Sequence, residues 1–488
     1  MSTPRPYASS GARPRRRGAR MPRLLRALVA AGLLALGLPA GSTAADANRA
    51  TAVPGVRLHD LDPQHWIARL PAPHQVILDR AGIQAQNARM RATDPSIHDL
   101  ATLPDPLPRA FVHAHIEALS KLPAYTLHDA QGRPLAQDRL ATLRDGLALD
   151  AIPARRPLRH GLVVRRADLR SFPTAQRVFS SPGDTDIDRF QESALFPGDA
   201  VAVLHASRDG QWLFVASERY VAWIEARHVA TGARETVLGY AGRTPYVVVT
   251  GARVRTTHTA EEPRVSDLQL DMGLRLPLRT DLPPEAPVHG QHPYASHVVD
   301  LPARRADGHL EFVPALVPRS TDVAAGYLPL TAANLVSQAF KFLGERYGWG
   351  HAYEARDCSG FVSEVYRSFG ILLPRNTGDQ ATSPALARTG FSAGGDAQAR
   401  MAAVRGLQAG DLVYVPGHVM LTLGQQDGLA YVIHDIHGGG WKDADGRHVR
   451  AGFNGVVVTP LQPLLLEDGT PHIERMTAIQ RIGPPTTR

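Results

Sequence analysis

Asp357-Cys358-Ser359-Gly360-Phe361-Val362 is the stretch that decides how this chain is read. Cys358 is the only cysteine in 488 residues. Apolar residues follow at Phe361, Val362, Val365 and Phe369, the spacing of a helix with one face to bury, and Gly370 supplies its stop. The cysteine is therefore expected in the first turn of a helix. The partial positive charge there favours a thiolate over a thiol, and a thiolate is a nucleophile that needs no metal. The competing expectation is a buried structural cysteine, since free cysteine is among the most buried residue types.

The downstream sequence favours chemistry. Leu412–Val415, Val419–Leu423 and Leu429–Ile433 read as strands, with His418 opening the second and His434 closing the third. Val456–Thr459 and Met476–Gln480 read as two more. Upstream, Thr331 caps a helix carrying Leu335, Ala339 and Phe342, which ends near Gly344. A helix bearing a cysteine beside a sheet bearing histidines is the layout of papain-like enzymes. A thiol must meet an imidazole, and a third group must orient that imidazole. His418 is the expected base and His434 the expected orienting group. The register leaves this last assignment open. A two-residue turn at Asp427-Gly428 would set His437 opposite His418, whereas a five-residue loop from Gly424 to Gly428 would set His434 there.

The composition excludes less than it suggests. The formal charge is +8 and the sequence pI about 9.8. Eight arginines between Arg5 and Arg26 supply that excess, and no acid lies among the first 45 residues. The basic balance thus reports a leader and gives no reason to expect nucleic acid. Residues 1–45 read as a signal peptide, with an arginine-rich start, an apolar run over 27–38 and small residues near Ala44-Ala45. The run is short for a membrane span of ~20 residues. The expectation is export to the periplasm or beyond, with no stable membrane span after cleavage. A lone thiol in an oxidising compartment is a liability unless it is used or buried.

The fold class expected is multidomain α+β. Residues 46–155 read as a helical N-terminal domain, with Asp62-Pro63 opening one helix. His113 and His115 lie two apart, which does not suit metal ligation on a helix. From about 156 to 245 short strands follow at Gly161–Val164, Ala200–Leu204, Trp212–Val215 and Ala222–Ile224. A turn signal at Asp209-Gly210 helps make a small barrel the expectation. Residues 246–320 form a second strand-rich unit, and 325–486 the unit that holds Cys358.

Several of these segments resemble a known family. Arg165–Thr174 with Asp209–Val215 and Tyr220–Trp223 is similar to a bacterial SH3-like domain, and Met272–Pro277 to part of a second one. Asp357-Cys358-Ser359-Gly360 resembles the NlpC-type cell-wall cysteine peptidases. So do Tyr347-Gly348-Trp349-Gly350, Leu373-Pro374-Arg375, Gln380 and Gly417-His418-Val419 followed by a histidine at the next strand's end. The resemblance covers about 160 residues closely. His351 departs from it, standing where the family often has glycine. The family pattern favours His434 over His437 as the third polar residue.

The resemblance implies a peptidoglycan stem-peptide hydrolase cutting γ-D-glutamyl–diamino acid bonds, with Cys358, His418 and His434 catalytic and no cofactor or metal. Relatives with SH3-like domains imply a preference for a free N-terminal L-Ala. Asp357, Ser359 and Tyr347 are then the expected substrate-binding residues, with Glu192 and Tyr220 of the first barrel completing the pocket. Asp357 is equally suited to be a plain helix cap. Arg375 and Gln380 are expected to hold the chain rather than touch substrate. Two other readings stand beside this one: a wall-binding protein without catalysis, and a zinc site on Cys358, His418 and His434.

Overall fold

The structure is a computed structural model that describes residues 48–483 apart from 393 and 396. The expected signal peptide lies outside the described residues. Among the described residues no helix is long and apolar enough to cross a membrane. The architecture is mixed and multidomain.

Helices form over 46–155, including α1 (Arg80–Thr93) and the helix Arg109–Leu119, although Val76 and Ile77, expected in a second helix, lie in a short strand, Val76–Leu78. They do not share one core. Trp66, Ile67, Ile83 and Met90 pack with the cysteine-bearing unit. Val112, Ile116, Leu143 and Ile152 pack instead beneath the first barrel with Phe214 and Trp223. Helices this short bury too little apolar surface to stand alone, so each lends its face to a neighbour. Trp66 shows how firm the first docking is. Its indole N–H donates to Asp60 O at 2.8 Å, and its ring lies 5.0 Å from that of Tyr431.

The first barrel is a seven-stranded antiparallel sheet, and its last strand in spatial order is β1 (Gln191–Leu195). Asp209-Gly210 turns the chain as expected, with Gly210 at φ +67°. The second strand-rich unit is built on a hairpin of Ser296–Arg304 against Leu310–Pro318, with its own core around Val247, Leu270, Leu301 and Val317.

In the last unit, α2 (Ala332–Phe340) is capped by the Thr331 hydroxyl, which accepts from Asn334 N. It packs on α3 (Cys358–Arg367). Both helices cover a six-stranded sheet in which β2 (Leu412–Val415), β3 (His418–Gln426), β4 (Leu429–Ile436) and β5 (Gly455–Pro460) lie side by side in that order, with β5 at the edge. Phe361, Val362 and Val365 face Leu421, Ile433 and Val458 in one core, so the apolar stripe read from the sequence is the contact face.

The β3–β4 hairpin resolves the register, although neither expectation describes it fully. Asp427-Gly428 is a two-residue turn, both residues in the left-handed region, with Gln426 opposite Leu429. Left uncorrected, that turn would set His437 against His418. A β-bulge intervenes: Thr422 pairs with Val432 but Gly424 with Tyr431, so Leu423 is an extra residue. One added residue exchanges the faces of everything beyond it. His434 thereby comes to the face of His418.

Candidate active site

Cys358 is the first residue of α3, and Asp357 is the cap, accepting Gly360 N–H at 2.8 Å. The N–H of Cys358 lies in the first turn, outside the helical ladder. Only 4% of Cys358 is exposed. Its sulfur touches Thr377 Oγ1 at 3.7 Å and Gly417 O at 3.8 Å, and the N–H of Val419 is directed at it. The thiol thus lies against the backbone on both sides of His418. Behind that residue runs a chain of side chains. His418 Nε2 is 2.8 Å from His434 Nδ1, and His434 Nε2 is 3.0 Å from Thr459 Oγ1 on β5. His437 instead is partly exposed and faces Asp186 and Glu467 at 3.7 and 3.9 Å.

The shifts in this group run against the expected thiolate. Burial, and then the Asp357 carboxylate, push the Cys358 thiol up to about 12. Burial, and then His472, push His418 down to about 3. His434 is likewise held well below the ordinary histidine value by burial and by His418. Desolvation and an adjacent anion outweigh the helix terminus. Both shifts favour a neutral thiol and a neutral imidazole over the ion pair.

Asp357 does more than cap. Arg375 donates to it twice, at 2.7 Å to Oδ2 and 3.2 Å to Oδ1, and Gly350 N–H donates at 3.0 Å. Burial opposes the carboxylate, but Arg375 holds it down to about 2. Ser359 joins the same network, accepting from Arg375 at 2.8 Å. As they stand, the charge of Asp357 and the hydroxyl of Ser359 are already engaged. Tyr347 is buried beside them, and its hydroxyl is pushed well up by burial and by Cys358 and Asp357.

His351, the departure from the family pattern, is enclosed by the protein. It is buried under α3, accepts from Arg375 at Nδ1 (3.0 Å) and so donates from Nε2 to Glu364 (3.2 Å). Gln380 ties Pro374 O to the helix at Ser363.

The first barrel supports this site directly. Gln191 on β1 donates to Gly350 O at 2.9 Å, Trp349 Nε1 donates to Gln191 O at 3.0 Å, and Arg375 donates to Ser193 Oγ at 2.6 Å. Next to these, Tyr220 donates to Glu192 at 2.6 Å. Burial pushes the Glu192 carboxyl up, with the tyrosine bond opposing. No arginine or lysine lies within ion-pair distance of Glu192 among the described residues.

Sequence reasoning missed Thr377, Thr459 and His472, which come from segments with no motif of their own. It also missed Asp435, whose two carboxylate oxygens are buried without partners. Burial and then Asp357 push that carboxyl well above its usual range, which disfavours its charge. Among the described residues, the group with ligand atoms close enough for a metal is His59, Asp60 and His65, on the N-terminal segment. His65 accepts from Arg69 at Nδ1 and donates to Gln426 from Nε2, so its hydrogen bonds are complete without an ion.

A thiol heading a helix, set against a strand that opens with an imidazole backed by a second imidazole, is the arrangement of a papain-like cysteine hydrolase. The comparisons agree on the kind. Residues 344–448 match the NlpC/P60 family, and residues 177–225 match the SH3 domain of SH3b1 type. The C-terminal unit is an NlpC/P60 domain with an SH3 domain ahead of it. Over 120 residues the chain is 33% identical to the probable endopeptidase p60 of Listeria seeligeri, covering 22% of this chain and 20% of that one. It is 34% identical to the Listeria welshimeri counterpart over the same length and the same shares. The match therefore spans about a fifth of these relatives. An NlpC/P60 endopeptidase from Photobacterium damselae subsp. piscicida shares the fold at a TM-score of 0.67. It is 17% identical, over 86% of this chain and 96% of that one.

Proposed function

We propose that this protein is an exported peptidoglycan hydrolase, a cysteine endopeptidase that cuts γ-D-glutamyl–diamino acid bonds in wall stem peptides. Cys358 is the nucleophile, His418 the base and acid, and His434 the orienting group. The observation that carries this reading is the Cys358 sulfur lodged between Gly417 O and Val419 N–H, the backbone on either side of His418, together with the His418–His434–Thr459 chain of 2.8 and 3.0 Å contacts. The naming of the Listeria relatives as probable endopeptidases supports the reaction class.

Because both shifts favour a neutral thiol and a neutral imidazole, the proton moves as the bond forms. His418 Nδ1 takes the thiol proton while sulfur attacks the γ-carbonyl carbon. The oxyanion is held by the first-turn N–H of Cys358. His418 then gives the proton to the leaving amine, the C–N bond breaks, and a thioester remains. Water, deprotonated by the same nitrogen, releases the acid and restores the thiol. Throughout, His418 Nε2–H donates to His434 Nδ1, and His434 Nε2–H to Thr459. This fixes the tautomer that leaves Nδ1 free to accept.

The free N-terminal ammonium of L-Ala-led peptides is received by Glu192, with Tyr220 and Tyr347 lining the pocket. Glu192 is half-buried, bonded to Tyr220 and reached by Arg375 and Arg170 only beyond ion-pair distance, so an ammonium would meet a carboxyl with no cation in contact. Asp357 and Ser359 border the same pocket and act chiefly through Arg375. The units divide as a segment over 46–155, barrels over 156–245 and 246–320, and the peptidase over 325–486. Mass spectrometry of products from L-Ala-γ-D-Glu-diaminopimelate and from its N-acylated form tests the whole reading. Cleavage of the free peptide alone is expected. Equal cleavage of both would remove the ammonium pocket, and cleavage of neither would remove the peptidase.

A further inference from the structure

Away from the thiol, a cavity of about 580 Å³ lies where three parts of the chain meet. One wall comes from α1, one from the first barrel at Asp199 and Ser217–Arg219, and one from the far end of α3 with the segment Gly370–Leu373. Its walls are rich in arginine, and the charges can be matched one by one. Arg91 is taken by Glu218 at 2.7 Å. Asp99, at the rim, caps its own chain at Ala101 N. Burial and then His115 lower the pKa of His98, which disfavours its charge. Asp199 Oδ2 accepts Phe196 N–H, and no arginine lies within ion-pair distance of that carboxylate among the described residues.

Three guanidinium groups are left over. Arg219 makes neither hydrogen bond nor ion pair among the described residues. Arg367 donates from Nε to Met272 O and lies over the Phe196 ring, but its Nη2 is buried without a partner. Arg275 donates to Arg243 O and lies over Tyr246, but its Nε is also buried and unpaired. Burial, and then the neighbouring Arg367 charge, push Arg219 down to about 10. Buried N–H donors of a permanent cation are almost always satisfied. The buried unpaired donors belong to Arg367 and Arg275, Arg219 is half-buried, and Asp199 offsets part of the repulsion between Arg219 and Arg367, so a bound anion would relieve what remains.

We propose that this cavity binds a small molecule carrying a carboxylate or a phosphate, which Arg219 and Arg367 hold through their forked N–H groups. Such forks match the geometry of both oxyanions. The volume falls in the range of about 300–1,000 Å³ that small-molecule sites occupy, so the ligand is larger than a bare ion. None of the lining residues belongs to the Cys358–His418–His434 group, and the proposal stands whether or not the peptidase reading does. Its position connects it to that site all the same. Arg367 ends the helix that Cys358 begins, and Arg219 adjoins Tyr220.

Calorimetric titration of the full chain at low ionic strength tests this, with citrate as the carboxylate probe and pyrophosphate as the phosphate probe. Saturable 1:1 binding of at least one is expected, and the probe that binds identifies the anion. Affinity should fall tenfold or more in Arg219→Gln and stay unchanged in Arg227→Gln, an exposed arginine paired with Glu225. Binding of neither probe, or equal binding in Arg219→Gln, would overturn the proposal. Ligand-free Arg219→Gln should melt no lower than the parent chain, because Arg219 holds nothing in the empty cavity. A clear drop in its melting temperature would overturn the premise.

Discussion

Thr459→Val isolates the part of the site that no motif marks. Thr459 is fully buried, and its hydroxyl is the group 3.0 Å from His434 Nε2. Valine keeps the shape and removes the acceptor. His434 then has two choices. It can keep its proton on Nε2 and bury an unpaired N–H, at a cost of about 1–3 kcal/mol. Or it can move the proton to Nδ1, where it points at His418 Nε2, 2.8 Å away. That forces His418 to carry its own proton on Nδ1, which is the wrong tautomer to accept from the thiol. Either way the penalty falls on the reactive state. At about 1.4 kcal/mol per decade, kcat should drop roughly 5- to 150-fold. KM should change little, because Thr459 is buried behind His434. The assay is steady-state cleavage of L-Ala-γ-D-Glu-diaminopimelate, with circular dichroism to check the fold. An unchanged kcat in a folded Thr459→Val protein would refute the relay.

Deleting Leu423 should remove the bulge and carry His434 to the opposite face from His418 while leaving the Asp427-Gly428 turn intact. Activity should be lost in a protein that still folds, and full activity would show that the bulge does not set the register. Arg375→Met strands the Asp357 carboxylate and should cost about 3–5 kcal/mol in urea unfolding at pH 7. The Asp357 carboxyl sits at about 2 when folded, against about 3.9 in an unfolded chain. Its contribution is therefore complete above about pH 4 and lost as pH falls toward about 2. That acid-limb loss should shrink in Arg375→Met, and an identical acid limb would contradict the pairing.

Much of the site was legible because its signals are local. A cap, a cysteine and four apolar residues at helical spacing define α3, and His418 opens β3 as expected, whereas β4 runs two residues past His434 to Ile436 instead of ending there. The register was not legible. Asp427-Gly428 announces its turn, but the bulge at Leu423 has no signal beyond a glycine at the next position, and that glycine equally suited a longer loop. Burial opposes the expected thiolate. Sequence gives the helix terminus and the adjacent aspartate but not the depth of burial, and burial is the largest cause of the shift. The N-terminal helices misled because amphipathic spacing shows that a face is buried without showing what it is buried against. Arg375 was expected to hold the chain. It does so while also neutralising Asp357, a double role visible only once Ser193 of the first barrel is seen on its other side.

The most direct test is intact-protein mass spectrometry on samples acid-quenched within one turnover of the tripeptide substrate. A mass increase equal to the L-Ala-γ-D-Glu acyl group, mapped to Cys358 and missing from Cys358→Ala, is the predicted result. Undiminished turnover by Cys358→Ala would contradict the account.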